Sequence, residues 1–231
     1  MTKIVILTGA GISAESGLGT FRDAGGLWSQ YQIEDVATPE GFARDPGMVQ
    51  AFYNARRANA ASAKPNPAHI ALGRLQAEWP SEVVIVTQNV DALHEEGGAK
   101  CVLHMHGTLA GALCSACGHR WAAPKTMQAG TPCPACTAPT ARPDVVWFGE
   151  MPYFMDEIYA HLAGADLFAA IGTSGQVYPA ASFVQEAVAA GAHTAELNLE
   201  PSQTVSNFAE TRFGKASQIV PAWVAELLST R

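Results

Sequence analysis

The chain has 231 residues, 48% of them apolar, and a formal charge of −7 at pH 7, which suits one large self-folding domain or a domain carrying an insert. Its scattered lysines and arginines, with Arg56-Arg57 the only adjacent pair, leave no basic face for nucleic acid. The opening MTKIVILTGAGIS has an apolar run too short for a signal sequence or a spanning helix, so the protein is expected in the cytoplasm, away from membranes.

The first element, Ile4–Leu7, reads as a buried strand. Gly9-Ala10-Gly11-Ile12-Ser13-Ala14 follows it as a G-x-G-x-x-A pattern opening a helix, where glycines let the backbone approach a pyrophosphate. A plain strand-to-helix turn is the alternative. The acidic residue expected about twenty positions on, at the end of a second strand, is displaced. Glu34 and Asp35 fall instead in a helical insertion of about 23–62. Asp45-Pro46 and Asn66-Pro67 each set a capping side chain before a proline at the first helical position.

Val83–Val86 is a second buried strand, with Gln88-Asn89-Val90-Asp91 just beyond its carboxyl end. Amides and a carboxylate there suit ligand recognition, and helix capping by Asn89 or Asp91 is the other reading. Val102–Met105 is next and ends at His106-Gly107. The glycine leaves room for close approach and an imidazole titrates near neutrality, so His106 suits a general base, with a structural histidine as the alternative. Alternation puts His104 on the same side and cannot choose between them.

Cys114-x2-Cys117 and Cys133-x2-Cys136, with fifteen residues between the pairs, match the zinc-ribbon template. Four thiolates saturate tetrahedral zinc, which predicts a closed structural site in an insert of about 111–141. A redox pair and a DNA-binding ribbon are the rivals; His119 competes as a ligand only if a cysteine is vacant. Cys101, left over in KCVLHM, reads as a buried thiol.

Asp166–Ile171 leads into Gly172-Thr173-Ser174-Gly175, a second phosphate cradle or an ordinary turn. Ala195–Leu199 brings Asn198 and Glu200 to a strand end; Glu200 is equally a ribose ligand or a solvated loop acid. PAWVAELLST closes the chain as a helix opened by proline. Alternating strands and helices imply an α/β fold with a doubly wound, parallel, Rossmann-like sheet. Its large domain is expected from 1–22, 63–110 and 142–231.

Taken together, GAGISAESGLGTFRD, TQNVD, the HG pair, the two cysteine pairs, VVWFGE, GTS and LNLE resemble the sirtuins, NAD-dependent protein lysine deacylases, in order and over nearly the whole chain. The resemblance implies one catalytic unit over 1–231, with NAD and structural zinc as cofactors and acyl-lysine proteins or peptides as substrates. It implies a cofactor site of Gly9, Ala10, Gly11, Ser13, Phe21, Arg22, Gln88, Asn89, Asp91, Gly172, Thr173, Ser174, Asn198, Leu199, Glu200 and Ala216. His106 matches the catalytic histidine, and Asn89 stands with it in the catalytic set. The acyl oxygen would displace nicotinamide from the ribose. His106 would then help a ribose hydroxyl attack the resulting imidate, and water would release lysine and O-acyl-ADP-ribose.

A lid around Phe21 and Gly25-Gly26 would keep water out. The peptide would lie extended against Phe148-Gly149-Glu150 and Gly175-Gln176-Val177. Ala37, Tyr53 and Arg56 match the branch that removes succinyl and malonyl groups. Tyr53 and Arg56, three apart, share a helix face, and an arginine pairs strongly with a carboxylate in a partly dry pocket. A solvated surface arginine is the plain alternative. A monomer is expected, and ADP-ribose transfer to protein or a hydride-transferring dehydrogenase are the competing activities.

Overall fold

The computed structural model describes residues 2–19 and 30–230. Its strands are β1 (Ile4–Thr8), β2 (Val83–Thr87), β3 (Val102–His104), β4 (Gly107–Cys114), β5 (Arg120–Ala122), β6 (Ala141–Val145), β7 (Leu167–Ile171), β8 (His193–Asn198) and β9 (Glu210–Phe213). The helices are α1 (Ile33–Val36), α2 (Pro39–Arg44), α3 (Pro46–Ala60), α4 (Pro67–Glu78), α5 (Leu93–Glu96), α6 (Met155–Ala163), α7 (Phe183–Ala189) and α8 (Ala216–Ser229). Two compact units emerge. The first is Met1–Leu18, Lys64–Met105 and Phe154–Arg231; the second is Gly19–Ala63 and His106–Tyr153.

In the first unit, six parallel strands run in the order β3-β2-β1-β7-β8-β9. Successive side chains of a strand point to opposite faces. Ile4 and Ile6 accordingly join one core with Leu72 and Leu75 of α4 and Val220, Trp223 and Val224 of α8. Val5 and Leu7 join the other, with Ile158 and Leu162 of α6 and Phe183 and Val184 of α7. Burial on both faces is why these strands read as unbroken apolar runs. The order grows outward from β1 in both directions, so the topology reverses between β1 and β7 and leaves a crevice beyond their carboxyl ends. This is the doubly wound sheet that the sequence predicts.

Three local expectations change, and one strand is unannounced in the sequence. The glycine pattern opens no α-helix; it forms two 3-10 turns, Ala10–Ile12 and Ala14–Ser16. The last helix begins at Ala216, not at Pro221, which lies inside it; lacking an N–H, that proline withholds the donor Ser217's carbonyl would otherwise meet. Cys101 is exposed rather than buried, because it precedes the edge strand β3 and its backbone is held by the Gln76 side chain. β9, with the sequence ETRF, has no apolar run to announce it. It is an edge strand with half-buried and exposed positions alternating, and Arg212 bridges Glu210 and Glu226.

The second unit joins α1–α3 to an antiparallel sheet of order β5-β4-β6. Two of its helix starts have a readable cause: Asp45 Oδ1 accepts from Met48 N at 2.9 Å and Thr38 Oγ1 from Gly41 N at 3.0 Å, each before a proline at the first helical position. α3 is tied down by side-chain amides. Gln50 donates to the Ala141 carbonyl at 2.9 Å, and Asn54 exchanges two bonds with the Met127 backbone, at 2.8 and 2.9 Å. The core under the cysteines is small, with Ala112, Met127 and Ala141 buried.

Gly107 opens β4 at φ 78°, and a Cβ there would collide with the Asp144 carbonyl oxygen. The room it provides is for the backbone of β6 rather than for a ligand, which corrects the reason given for it above. Gly107→Ala is therefore expected to lower unfolding free energy by about 1–3 kcal/mol, measured by urea denaturation.

Candidate active site

At the sheet reversal, the loops after β1 and β7 are pressed together. Gly9 N donates to the Ile171 carbonyl at 3.0 Å and Gly11 N to the Gly172 carbonyl at 2.8 Å. A Cβ on Gly9 would sit 2.8 Å from Gly172 O, and one on Gly11 2.8 Å from Gly172 Cα. Gly172 itself has φ 63° and faces Ile12 N. These glycines thus serve first to join the two predicted cradles into one floor. Gln88, just past β2, extends it by donating to Thr173 Oγ1 at 3.1 Å.

Ser13 is the hub of a buried polar network. His69 Nδ1 accepts from Asn66 N at 3.3 Å, so in the neutral ring Nε2 carries the proton and donates to Ser13 Oγ at 3.3 Å. Asn89 Nδ2 donates to Ser13 Oγ at 3.1 Å and to the Gly9 carbonyl at 3.2 Å. Ser13 in turn donates to Asp91 Oδ2 at 3.2 Å, while Leu93 N donates to Asp91 Oδ1 at 3.1 Å. One Asp91 oxygen thus holds the first N–H of α5 and the other faces Ser13. Burial pushes the Asp91 carboxyl above its ordinary range, with the Leu93 amide and Ser13 hydroxyl pulling back.

Two histidines below this network are uncharged. Burial lowers His69 to about 4 and His94, which meets Thr8 Oγ1 at 2.9 Å, to about 3. Neither stands out in the sequence. His69 carries one late signal, its place three residues after the Asn66 cap, where its side chain completes a capping box.

Asn198 Nδ2 donates to the Thr173 carbonyl at 2.7 Å, tying the end of β8 to the same floor. Leu199 and Glu200 are exposed beyond it. The acid that the sequence reading passes over is Glu196, fully buried in β8, which accepts from Ser202 N at 3.0 Å. Ser174 O accepts from Gln203 N at 3.2 Å. Ala216 is the first residue of α8, and the next residue, Ser217, is bound through N and Oγ to Glu15, each at 2.9 Å. Gly175 is buried at φ 66°, Gln176 is exposed and Val177 half-buried. Phe21, Arg22 and the Gly25-Gly26 lid fall outside the described residues.

In the second unit, His106 is half-buried in the turn before β4, its carbonyl accepting from Val146 N at 2.9 Å. Ala37 is buried and its carbonyl accepts from Phe148 N at 2.9 Å. Tyr53 is 1% exposed, and its hydroxyl oxygen accepts from Trp147 Nε1 at 3.0 Å. Arg56 is half-buried, its guanidinium 5.4 Å from the Tyr53 ring centre and 5.7 Å from that of Phe52. Burial raises the Tyr53 phenol, an effect that Arg56 and Trp147 oppose.

Phe148 is 45% exposed and Gly149 has φ 89°. Glu150 turns inward, receiving Arg142 at 2.6 and 2.8 Å and Trp147 N at 2.8 Å, while the same guanidinium stacks 3.4 Å from the Trp147 ring centre. Its carboxylate is occupied in building the loop.

The four cysteine sulfurs lie within 4.8 Å of one another, with Cys114–Cys136 at 3.6 Å and Cys117–Cys133 at 3.8 Å. A tetrahedron with zinc–sulfur bonds of about 2.3 Å has edges of about 3.8 Å, so the set is of a size that suits zinc. Each pair sits in the same kind of turn, closed by a left-handed residue, Gly118 at φ 73° and Thr137 at φ 61°. His119 stacks on Trp121 and is outside the cluster.

Among the described residues, no helix is long and apolar enough to cross a membrane. Comparison with known proteins matches residues 9–179 to the Sir2 family. A protein of Caulobacter vibrioides named NAD-dependent protein deacylase is 54% identical over 98% of this chain and 97% of its own. One of the same name from Escherichia coli K12 is 56% identical over 98% of this chain and 82% of its own. The solved structure of a Sir2 homologue–NAD complex superposes with a TM-score of 0.91 at 35% identity, covering 99% of this chain and 90% of that one. A Sir2 complex with a deacetylated p53 peptide and 3′-O-acetyl ADP-ribose gives 0.81 at 26% identity, over 97% and 93%. With the reversed parallel sheet, the joined glycine loops and the four-thiol cluster all in place, the chain belongs to the Sir2 family.

Proposed function

We propose that this protein removes acyl groups from protein lysines in an NAD-dependent reaction, taking succinyl and malonyl groups as well as acetyl. The observation that carries the reading is the 54% identity over 98% of the chain to a relative named NAD-dependent protein deacylase. When bound, NAD supplies the ribose carbon from which the acyl oxygen displaces nicotinamide, and the acyl group leaves on ADP-ribose.

The chain's own residues divide the remaining work. Gly9, Ala10, Gly11 and Ser13, with Gly172, Thr173 and Ser174, shape the phosphate site; the Gly9 and Gly11 amides and the Ser13 hydroxyl are spent on holding the loops together. Gln88, Asn89 and Asp91 orient the nicotinamide end. Asn198, Leu199, Glu200 and Ala216 take the adenosine end, and Phe21 and Arg22 complete the cofactor site. His106 accepts the proton of a ribose hydroxyl, a role that requires the uncharged imidazole.

Acyl choice falls to Ala37, Tyr53 and Arg56. Because indole nitrogen only donates, the Trp147 bond makes the Tyr53 oxygen an acceptor and leaves its own proton for an acyl carboxylate. Arg56 supplies the opposite charge. Phe148, Gly149 and Glu150, like Gly175, Gln176 and Val177, contribute main-chain groups to an extended peptide. For Glu150 the contribution is backbone only, its carboxylate being held by Arg142. The four cysteines hold structural zinc, and the protein works as a cytoplasmic monomer, where reducing conditions keep the thiols available.

Mass spectrometry of acetyl- and succinyl-peptides incubated with protein and NAD tests the activity. Loss of acyl mass with release of nicotinamide is expected; new NADH absorbance or added ADP-ribose mass on protein would refute it. Arg56→Met should reduce desuccinylation at least about tenfold while deacetylation is kept. Equal loss of both would count against the acyl pocket. His106→Tyr should lower deacylation by about 10²–10⁴-fold with unchanged circular dichroism and zinc content. Elemental analysis should find one zinc per chain, and Cys133→Ser should lose it together with thermal stability.

A further inference from the structure

His104 stands at the end of β3 and does not belong to the set assigned above. Its Nδ1 lies 3.1 Å from the Asn89 carbonyl oxygen and its Nε2 2.8 Å from Glu95 Oε1. A carbonyl and a carboxylate only accept hydrogen bonds, so both contacts are made at once only when both ring nitrogens carry protons. We propose that His104 is a positioning residue: held as an imidazolium between Glu95 and the Asn89 carbonyl, it fixes Asn89 for its work at the NAD site. The proposal rests on the assignment of Asn89 to that site.

Asn89 is held on several sides already. Its N–H donates to Thr87 Oγ1 at 3.0 Å, and its Nδ2 to Gly9 O and Ser13 Oγ. The carbonyl is the remaining backbone handle, and His104 takes it. With N–H, C=O and Nδ2 engaged, rotation of the 88–91 segment is resisted from both faces, and Oδ1 is left for a ligand. One ring proton fewer and the clamp loses either Asn89 or Glu95, because a neutral imidazole has a single N–H.

The surrounding charges agree with this protonation. Burial pulls the His104 pKa down, but Glu95, the Asn89 carbonyl and Asp91 outweigh it and leave the ring above its ordinary value. His94, from the same short helix as Glu95, adds no positive charge, since it is neutral to about 3. Burial raises Glu95, and His104 overrides that and holds it below the usual carboxylate range. The clamp is therefore complete from acid pH up to a point above about 6.5, and is lost as pH rises through the His104 pKa. His106 acts with the opposite sign, since a base gains activity as it deprotonates.

The test is ¹⁵N-histidine NMR together with a pH profile. At pH 6, His104 should show two protonated nitrogens, with a titration midpoint above that of a free histidine. The Asn89 side-chain amide signals should move with the same midpoint. Glu95→Gln should lower that midpoint by about one pH unit or more. In turnover, kcat/KM for NAD should have an alkaline limb at this midpoint, and His104→Gln should remove the limb and lower the plateau about tenfold. A singly protonated His104 at pH 6, an Asn89 amide indifferent to its titration, or an alkaline limb unchanged in His104→Gln would each overturn the proposal. Wild-type protein without NAD-dependent turnover would instead refute the assigned function, and the Asn89 amide titration would still decide the clamp.

Discussion

Where the loop after β1 meets the loop after β7, no side chain fits between them. Gly9 and Gly11 lie against Gly172 so closely that a Cβ on either would stand 2.8 Å from backbone atoms, and two amide–carbonyl bonds seal the contact. This junction is where the polar network around Ser13 and Thr173 is arranged. It sets the Ala10–Ile12 turn, which aims Ser13 down toward Asn89, Asp91 and His69, and it brings Thr173 within reach of Gln88 and Asn198. The reversal of strand order between β1 and β7 makes the contact possible, since only there do two carboxyl ends feed chains that leave in opposite directions.

Such a junction buries polar groups, and burial is tolerable only if each is satisfied. The network meets most of that demand with neutral histidines rather than ion pairs, and His94 Nδ1 alone of their ring nitrogens is buried without a partner. His69 passes its one proton to Ser13, Ser13 passes its own to Asp91, and His94 sits against Thr8. Charge is kept at the margin, where His104 and Glu95 are 12% and 43% exposed. The second unit solves the same problem differently. There Arg142 is buried, and Glu150 meets it with two short bonds while Trp147 covers its face, which in turn sets the Tyr53 hydroxyl. An acidic side chain in an exposed-looking FGE segment is thus part of the frame around Tyr53.

Much of this was legible. Asn66 and Asp45 cap helices as their prolines foretell, and the apolar runs of β1, β2 and β7 lie in the sheet to within a residue or two. The cysteine spacing led to a four-sulfur cluster of the right size. Other features left no local trace. β9 is an edge strand whose alternation is too weak to read, and Cys101 looks buried only because apolar residues follow it. His69, His94 and Glu196 sit amid ordinary helix and strand residues, and their burial depends on what packs over them.

By itself, the sequence determined the parallel sheet, the places of the strand ends and the ligands of the metal cluster, because periodicity, capping and cysteine spacing act over a few residues. Only the tertiary structure decided that the glycines serve each other, that Gly107 yields to the β6 backbone, that Glu150 faces inward, and that His104 is bound to Asn89 and Glu95. Each of those depends on a partner between 8 and 163 positions away. A side chain's environment, and with it whether an imidazole is neutral or charged, exists only once the chain has folded back on itself.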